Sequence, residues 1–319
     1  MQPDLITFGE TMVIFDPAGK GPLRYVSQFN KRFGGAESNV AIGVSRLGHQ
    51  AGWMSRVGDE ELGTYVVNAI RGEGVDTSRV TRTSEAPTGL YIKERVREGS
   101  NQVYYYREGS AASRMSPEHV DWDYVKKAKV IHLSGITPFL SESCREMTLE
   151  VLRYAKENGI YVSFDPNLRL KILQKYPDHK ELLLQIAKEA DLFMPGYEEA
   201  QYLFGTDNPE EMIERSLDAG ADQVVLKKGA EGIYFAEGDG DRGFVESFKV
   251  DKVVDPIGAG DGFAAGVLSG VLEGKTLREA VEQGAAIGAM VVTVEGDIEG
   301  LPTKKEIEAF KGTNSDVVR

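Results

Sequence analysis

Asp255-Pro-Ile-Gly-Ala-Gly-Asp-Gly-Phe-Ala-Ala-Gly-Val-Leu268 is the most informative run in this chain of 319 residues. Gly258, Ala259 and Gly260 stand where a loop turns into a helix with its body at Phe263 to Leu272. Side chains that small let backbone N–H groups and the positive end of a helix approach an anion closely. A carboxylate at Asp261 would repel phosphate and makes a poor ligand for it. It makes a good base for a hydroxyl that attacks phosphorus. Taken alone, the run also fits a plain glycine turn in which Asp261 complements the helix dipole. No G-x-x-x-x-G-K-[ST] loop occurs anywhere in the chain.

Around this run the chain alternates strand and helix signals. Leu5 to Gly9 reads as a buried first strand, and Gly34-Gly35 opens a helix on which Val40, Val44 and Leu47 recur at helical spacing. Strands are predicted at Gln50 to Val57, Val130 to Leu133, Tyr161 to Asp165, Leu192 to Met194 and Val224 to Lys227. Helices are predicted at Glu61 to Arg71, Glu142 to Asn158, Lys180 to Glu189 and Pro209 to Ala219. This order predicts an α/β fold with a mostly parallel central sheet and helices on both faces. Ligands of such sheets bind beyond the carboxyl ends of the strands. One segment breaks the order: Thr88 to Val96 and Gln102 to Arg107 are strand-like runs with no helix between them, joined by the turn-like Arg-Glu-Gly-Ser-Asn. They are expected to form a small antiparallel sheet, with the irregular stretch Glu10 to Phe33 supplying its other strands, as a lid over a site. The expected organisation is one α/β domain over residues 1–312, a lid from about 10–33 and 88–110, and a frayed tail at 313–319.

Composition narrows the partners. Lys and Arg number 37 against 50 Asp and Glu, a formal net charge of −13. Such a field argues against a nucleic-acid or membrane-surface binder. The single cysteine, Cys144, excludes an intramolecular disulfide framework. No uncharged stretch reaches the roughly 18 residues of a spanning helix. The opening MQPDLITFGE lacks the basic start and apolar run of a signal peptide, so a cytoplasmic protein is expected. Gly238-Asp-Gly-Asp-Arg-Gly243 matches the dinucleotide pattern G-x-G-x-x-G, but it lies between two strand-like runs and carries acids that would repel a pyrophosphate. An acidic hairpin loop is the better reading. His49, His119, His132 and His179 have no metal-ligand spacing; His132 reads as a packed core residue and Cys144 as a small, semi-buried one.

With these motifs in order, the chain resembles the ribokinase-like carbohydrate kinases over essentially its whole length. Residues 255 to 263 look like their C-terminal signature, and Gly34-Gly35-Ala-Glu-Ser-Asn39 with Arg56-Val-Gly-Asp-Glu-Glu-Leu-Gly63 looks like their N-terminal one. Residues 34–39, Tyr-Tyr-Arg-Glu-Gly-Ser-Ala at 105–111 and His-Leu-Ser-Gly-Ile-Thr-Pro at 132–138 look most like the branch acting on 2-keto-3-deoxygluconate. The resemblance implies a ribokinase-like fold that uses ATP and Mg²⁺. It makes Asp261 the catalytic base and the amides of Gly258, Ala259 and Gly260 an anion hole. It puts Gly35 and Asn39 on substrate hydroxyls with Ala36, Glu37 and Ser38 beside them, and brings Tyr91, Tyr105 and Arg107 down from the lid. Ile136 would contribute backbone, Arg169 would lie between sugar and nucleotide, and Asp297 would close the pocket. On the nucleotide side it implies Asn167, Gly196, Ala285 and the loop Lys227-Lys228-Gly229-Ala-Glu-Gly232, with Glu199 organising Mg²⁺ through water. Gly196 and Ala285 stand where the family commonly has asparagine. A homo-oligomer assembled through the lid sheet is also implied.

The residues themselves bear on the substrate. A sugar acid carries a carboxylate, and arginine matches that group best. Alternation puts Tyr105 and Arg107 on one face of their strand and Tyr104 and Tyr106 on the other, although plain aromatic strand packing would produce the same run. Arg107, Arg169 and Lys227 are expected to concentrate positive potential in one cleft. The expected activity is ATP-dependent phosphorylation of the primary hydroxyl of 2-keto-3-deoxygluconate. A kinase for a neutral sugar such as fructose, and a catalytically silent sugar-binding protein on the same fold, are the alternatives.

Overall fold

The structure is a computed structural model that describes residues 2–97, 100–238 and 240–316. The chain enters as β1 (Leu5–Phe8), leaves for β2 (Met12–Pro17) and β3 (Phe29–Gly34), and returns through α1 (Ala36–Arg46) to β4 (Ala51–Met54). Short strands β5 (Arg56–Gly58) and β6 (Thr81–Thr83) bracket α2 (Glu61–Gly72), and β7 (Leu90–Arg97) pairs with β8 (Ser100–Tyr106). Then follow α3 (Trp122–Val125), β9 (Val130–Ser134), α4 (Glu142–Glu157), β10 (Tyr161–Asp165), α5 (Leu170–Leu173), α6 (His179–Glu189) and β11 (Leu192–Phe193). The last part is α7 (Tyr197–Phe204), α8 (Pro209–Asp218), β12 (Gln223–Lys227), β13 (Ile233–Glu237), β14 (Arg242–Val245), α9 (Ala259–Leu272), α10 (Leu277–Val291) and α11 (Lys304–Asp316).

The central sheet has the order β14-β13-β12-β11-β10-β9-β1-β4. It is parallel from β4 to β12 and antiparallel at β13 and β14. Alternation along each strand divides its side chains between two cores. Leu5, Val130, Leu192 and Val225 pack with α1, α2, α9 and α10, whereas Ile6, Phe8, Ile131, Phe193 and Leu226 pack with α4, α6, α7 and α8. Both faces are therefore covered, which is why the strands read as apolar runs. Helix starts follow their capping residues: Ser141 accepts from the Cys144 N–H at 3.1 Å and Asn208 from the Glu210 N–H at 2.9 Å. α9 and α10 pack closely because Gly266 and Gly284 face one another; a Cβ on Gly266 would lie 2.7 Å from the Gly284 Cα.

The second sheet has the order β3-β2-β7-β8, so the irregular stretch after β1 does supply its other two strands, but the sheet is mixed and not antiparallel throughout, because β2 runs parallel to β7. The stretch Gln50 to Val57 is not one strand, as its pattern predicts. It breaks at Ser55, whose carbonyl accepts the Thr81 N–H at 3.0 Å, and β5 turns away to pair with β6. The final helix runs to Asp316 and takes in the first four residues of the expected tail; 317–319 lie outside the described residues, as do Glu98 and Gly99 of the hairpin turn. Gly238 to Gly243 joins the antiparallel strands β13 and β14, as an acidic hairpin loop would, with Asp239 outside the described residues. His132 is buried against the Ser163 Oγ at 3.1 Å, and burial pushes its pKa down to about 4. Cys144 is fully buried, beyond the semi-buried place expected of it, and burial pushes its thiol up to about 11. No helix among the described residues is long and apolar enough to cross a membrane.

Candidate active site

The carboxyl ends of the parallel strands form one wall of a cleft of about 440 Å³. Glu10 lies just past β1, Ile136 past β9, Asp165 ends β10 with Asn167 and Arg169 beyond it, Gly196 lies past β11, and Lys227 ends β12. The inner face of the lid sheet forms the opposite wall with Tyr91, Lys93, Val103, Tyr105 and Arg107. The start of α9 lies between the walls and carries Gly258, Gly260 and Asp261 into the cleft.

Gly258 adopts φ +79°, in the region that favours glycine, and a Cβ there would sit 2.3 Å from the Asp297 carbonyl oxygen. At Gly260 a Cβ would meet nothing within 4 Å and would project into open space. The first turn of α9 thus presents bare backbone, with the N–H groups that a helix leaves without intrahelical partners. Such a cradle fits a phosphate chain. Asp261 follows at once. Its Oδ2 accepts from Asn39 Nδ2 at 2.7 Å. Burial, reinforced by Asp165 and Asp297 and opposed by Asn39 and Arg169, pushes its carboxyl up to about 7. A carboxyl at that value can take and return a proton near neutrality.

Beside it is a buried cluster of charges. Lys227 Nζ contacts Asp165 Oδ2 at 2.5 Å, and although burial alone would push the lysine down, Asp165 and Glu199 raise it. Glu199 accepts the Leu168 N–H at 2.7 Å and the Gly196 N–H at 2.8 Å, and burial with Asp165 nearby raises its pKa. Asn167 has φ 38°, the one described non-glycine residue at positive φ, and its N–H donates to Asp165 Oδ1 at 3.0 Å. Asparagine tolerates that conformation better than most residues. Among the described residues no group of three His, Cys, Asp or Glu could hold a metal ion directly. The donor set at Glu199 and Asp165 suits an ion that arrives with phosphates and keeps its waters.

On the lid, Tyr91 and Tyr105 pack with ring centroids 5.5 Å apart, and the Arg107 guanidinium lies 5.9 Å from the Tyr105 ring. Arg107 Nη2 contacts Glu10 Oε2 at 2.6 Å, while its Nε is buried without a hydrogen-bond partner among the described residues. Asp297 lines the cleft against Gly34, where a Cβ would sit 2.2 Å from its Oδ2. Glu37 is fully buried, receives Thr137 Oγ1 at 2.7 Å and Ser134 Oγ at 2.5 Å, and is pushed up by its burial.

Most of the residues predicted for the site therefore converge: Gly35, Ala36, Glu37, Asn39, Tyr91, Tyr105, Arg107, Ile136, Asn167, Arg169, Gly196, Glu199, Lys227, Gly258, Gly260, Asp261 and Asp297 line one cleft. Ser38, Ala259, Gly229, Gly232 and Ala285 are not among its lining residues. Ser38 is buried behind it, accepting from Thr11 Oγ1 at 2.7 Å, and Ala285 is packed in the core. Lys228 turns away to Glu231 at 2.8 Å, so only one lysine of the pair reaches the cleft. Sequence reading missed Glu10, Lys93 and Asp165. Glu10 and Asp165 stand at strand ends, and Lys93 is two residues from Tyr91, the spacing of one strand face.

The description pfkB family carbohydrate kinase matches residues 2–304. The chain belongs to this family. It is 44% identical over 311 residues to a 2-dehydro-3-deoxygluconokinase of Bacillus subtilis (strain 168), covering 97% of this chain and 96% of that one. It is 34% identical to a 2-dehydro-3-deoxygluconokinase of Thermoproteus tenax over 95% of this chain and 93% of that one. Among solved structures, a putative ribokinase II from E. coli in complex with ATP and Mg²⁺ superposes with a TM-score of 0.90 at 27% identity, covering 98% of this chain and 99% of that one. The fold is accordingly ribokinase-like, and the protein is a carbohydrate kinase.

Proposed function

We propose that this kinase transfers the γ-phosphoryl group of MgATP to the primary hydroxyl of a sugar acid, 2-keto-3-deoxygluconate, giving the 6-phosphate. The observation that carries the proposal is Asp261, with a carboxyl near neutrality, directly behind a glycine cradle on the floor of a two-walled cleft. Asp261 accepts the hydroxyl proton as the sugar oxygen bonds to the γ-phosphorus and the bond to the bridging oxygen of ADP breaks. The N–H groups at the start of α9 face the charge that develops, Asn39 orients the base, and Arg169 stands between sugar and nucleotide. Bound Mg²⁺ supplies charge neutralisation on the phosphate oxygens, and Glu199, through water, is the residue that would hold it. The lid wall excludes water that would otherwise hydrolyse ATP.

Arg107 is the proposed partner of the sugar carboxylate. Its unpartnered Nε leaves it a donor beyond the contact with Glu10. That same contact favours a second reading, a neutral sugar, because Glu10 already opposes the guanidinium charge. Arg107→Ala separates the two. The expected outcome is a KM for 2-keto-3-deoxygluconate raised about 30-fold or more, consistent with loss of a charged hydrogen bond, and a much smaller change for fructose. Equal changes for both would favour the neutral sugar. The proposed setting is the cytoplasm. A homo-oligomer through the lid sheet suits its outer face, where Tyr104 and Tyr106 are exposed.

A further inference from the structure

Lys93 has no part in the chemistry above, yet it lines the cleft. It stands on β7 two residues beyond Tyr91, on the same face of the strand. Its side chain is 8% exposed, and its Nζ lies 3.6 Å from Asp297 Oδ1. That is too long for a hydrogen bond, and Oδ1 has no hydrogen-bond partner among the described residues. Asp297 follows α10 and has a side chain only 9% exposed. Its neighbours are also acidic: Glu299 on its own loop, Asp255 before α9, and Asp261 on α9, with the Tyr91 hydroxyl facing it from β7. Of the other cations nearby, Arg32 on β3 is engaged by Glu299 at 3.1 Å, and Arg95 on β7 contacts Glu295. The loop from Glu295 to Glu299 is thus joined to the lid through three acid and base pairs, of which Lys93 and Asp297 alone face the cleft.

We propose that Lys93 is a positioning residue that reaches from the lid to keep Asp297 ionised, so that Asp297 accepts a sugar hydroxyl only while the lid is in place. The inference rests on the reading of Asp297 as a substrate ligand. Burial pushes Asp297 up to about 6, with Glu299 and Asp255 adding to the rise and Lys93 opposing it. With Lys93 removed, the carboxyl moves further up, and where it is protonated it loses an acceptor.

The test is sugar binding by calorimetry without nucleotide, together with KM, from about pH 5 to about pH 9. Wild type, Lys93→Gln, Lys93→Met and Lys93→Arg are compared, alone and with Asp297→Asn. The probe is 2-keto-3-deoxygluconate, or fructose if the wild type turns over only that sugar, so failure of the sugar-acid reading shows in the wild type and leaves this test standing. Toward about pH 5, below the wild-type value of Asp297, Lys93→Gln and Lys93→Met are expected to raise KM up to about ten-fold, the full effect of roughly one pKa unit, falling to about two-fold near neutral pH, with kcat little changed. The gap closes as pH rises, Lys93→Arg keeps the wild-type profile, and Lys93→Gln adds nothing in the Asp297→Asn background. A gap that is the same at every pH, an equal loss in the Asp297→Asn background, or an unchanged KM would each overturn the proposal. A wild type that binds neither sugar overturns the reading of Asp297 and this inference with it.

Discussion

Asp261 owes its properties first to burial and then to neighbours brought from distant parts of the chain. Asn39 comes from α1, Asp165 from the end of β10, and Asp297 from the loop after α10. Replacing the base by Asn39's own kind of side chain, Asp261→Asn, is expected to lower kcat by about 10²-fold to 10⁴-fold with a small change in sugar KM. In the wild type kcat should fall as pH drops through about 7, where the carboxyl becomes protonated, and this limb should vanish in the residual rate of the variant. Stability should move the other way. A carboxyl raised from 3.8 to about 7 binds its proton more tightly in the folded state, so stability declines as pH rises through that window. Above it Asp261→Asn should melt higher than the wild type, and well below it the difference should disappear; thermal melts at the two extremes check this. Asp261 was legible in the sequence because its context is local: loop, small residues, helix. Glu10, Asp165 and Lys93 were not, because each gains its meaning from a partner remote in sequence: Arg107, Lys227 and Asp297 respectively.

The start of α9 separates two uses of glycine that a sequence shows alike. Gly258 is required by the backbone itself, through its positive φ and the Asp297 carbonyl against it, whereas Gly260 is bare toward the cleft. Gly258→Ala is therefore expected to lower stability, by about 1–2 kcal/mol for the left-handed conformation alone, and to disturb the loop holding Asp297. Gly260→Ala should leave the melting temperature nearly unchanged and still lower kcat about ten-fold or more. A Gly260→Ala variant with full activity would remove the cradle from the mechanism. Gly266 on α9 and Gly284 on α10 serve neither purpose and let the two helices approach. The strand runs of the parallel part of the central sheet, β1, β4 and β9 to β12, were legible. The break at Ser55 was not, since apolar alternation continues from β4 into β5 while the hydrogen bonds pass to a different partner, β6.

Across the whole molecule the charge of −13 poses a problem for a kinase whose substrates are anions. The expected concentration of positive potential does not solve it. Glu10, Glu37, Asp165, Glu199, Asp261 and Asp297 line the cleft against only Lys93, Arg107, Arg169 and Lys227. Three of those cations face acids directly, and Arg169 is exposed and without an ion-pair partner among the described residues. Relief comes from the acids instead. Burial pushes the pKa of Glu37 and Asp261 up, which favours less negative charge where an incoming anion meets them. Arg169, the Arg107 Nε and the N–H groups of α9 then remain as the donors for carboxylate and phosphate. The proposed substrate is a sugar acid phosphorylated at its primary hydroxyl, and the most direct test is kcat/KM of the wild-type protein with MgATP across sugar acids and neutral sugars, with phosphorus NMR of the product. The predicted result is a kcat/KM for 2-keto-3-deoxygluconate at least about 100-fold above that for fructose, the discrimination a site built around polar partners can reach, and phosphate on the primary hydroxyl. Equal or higher kcat/KM for fructose, or phosphate at another position, would contradict it.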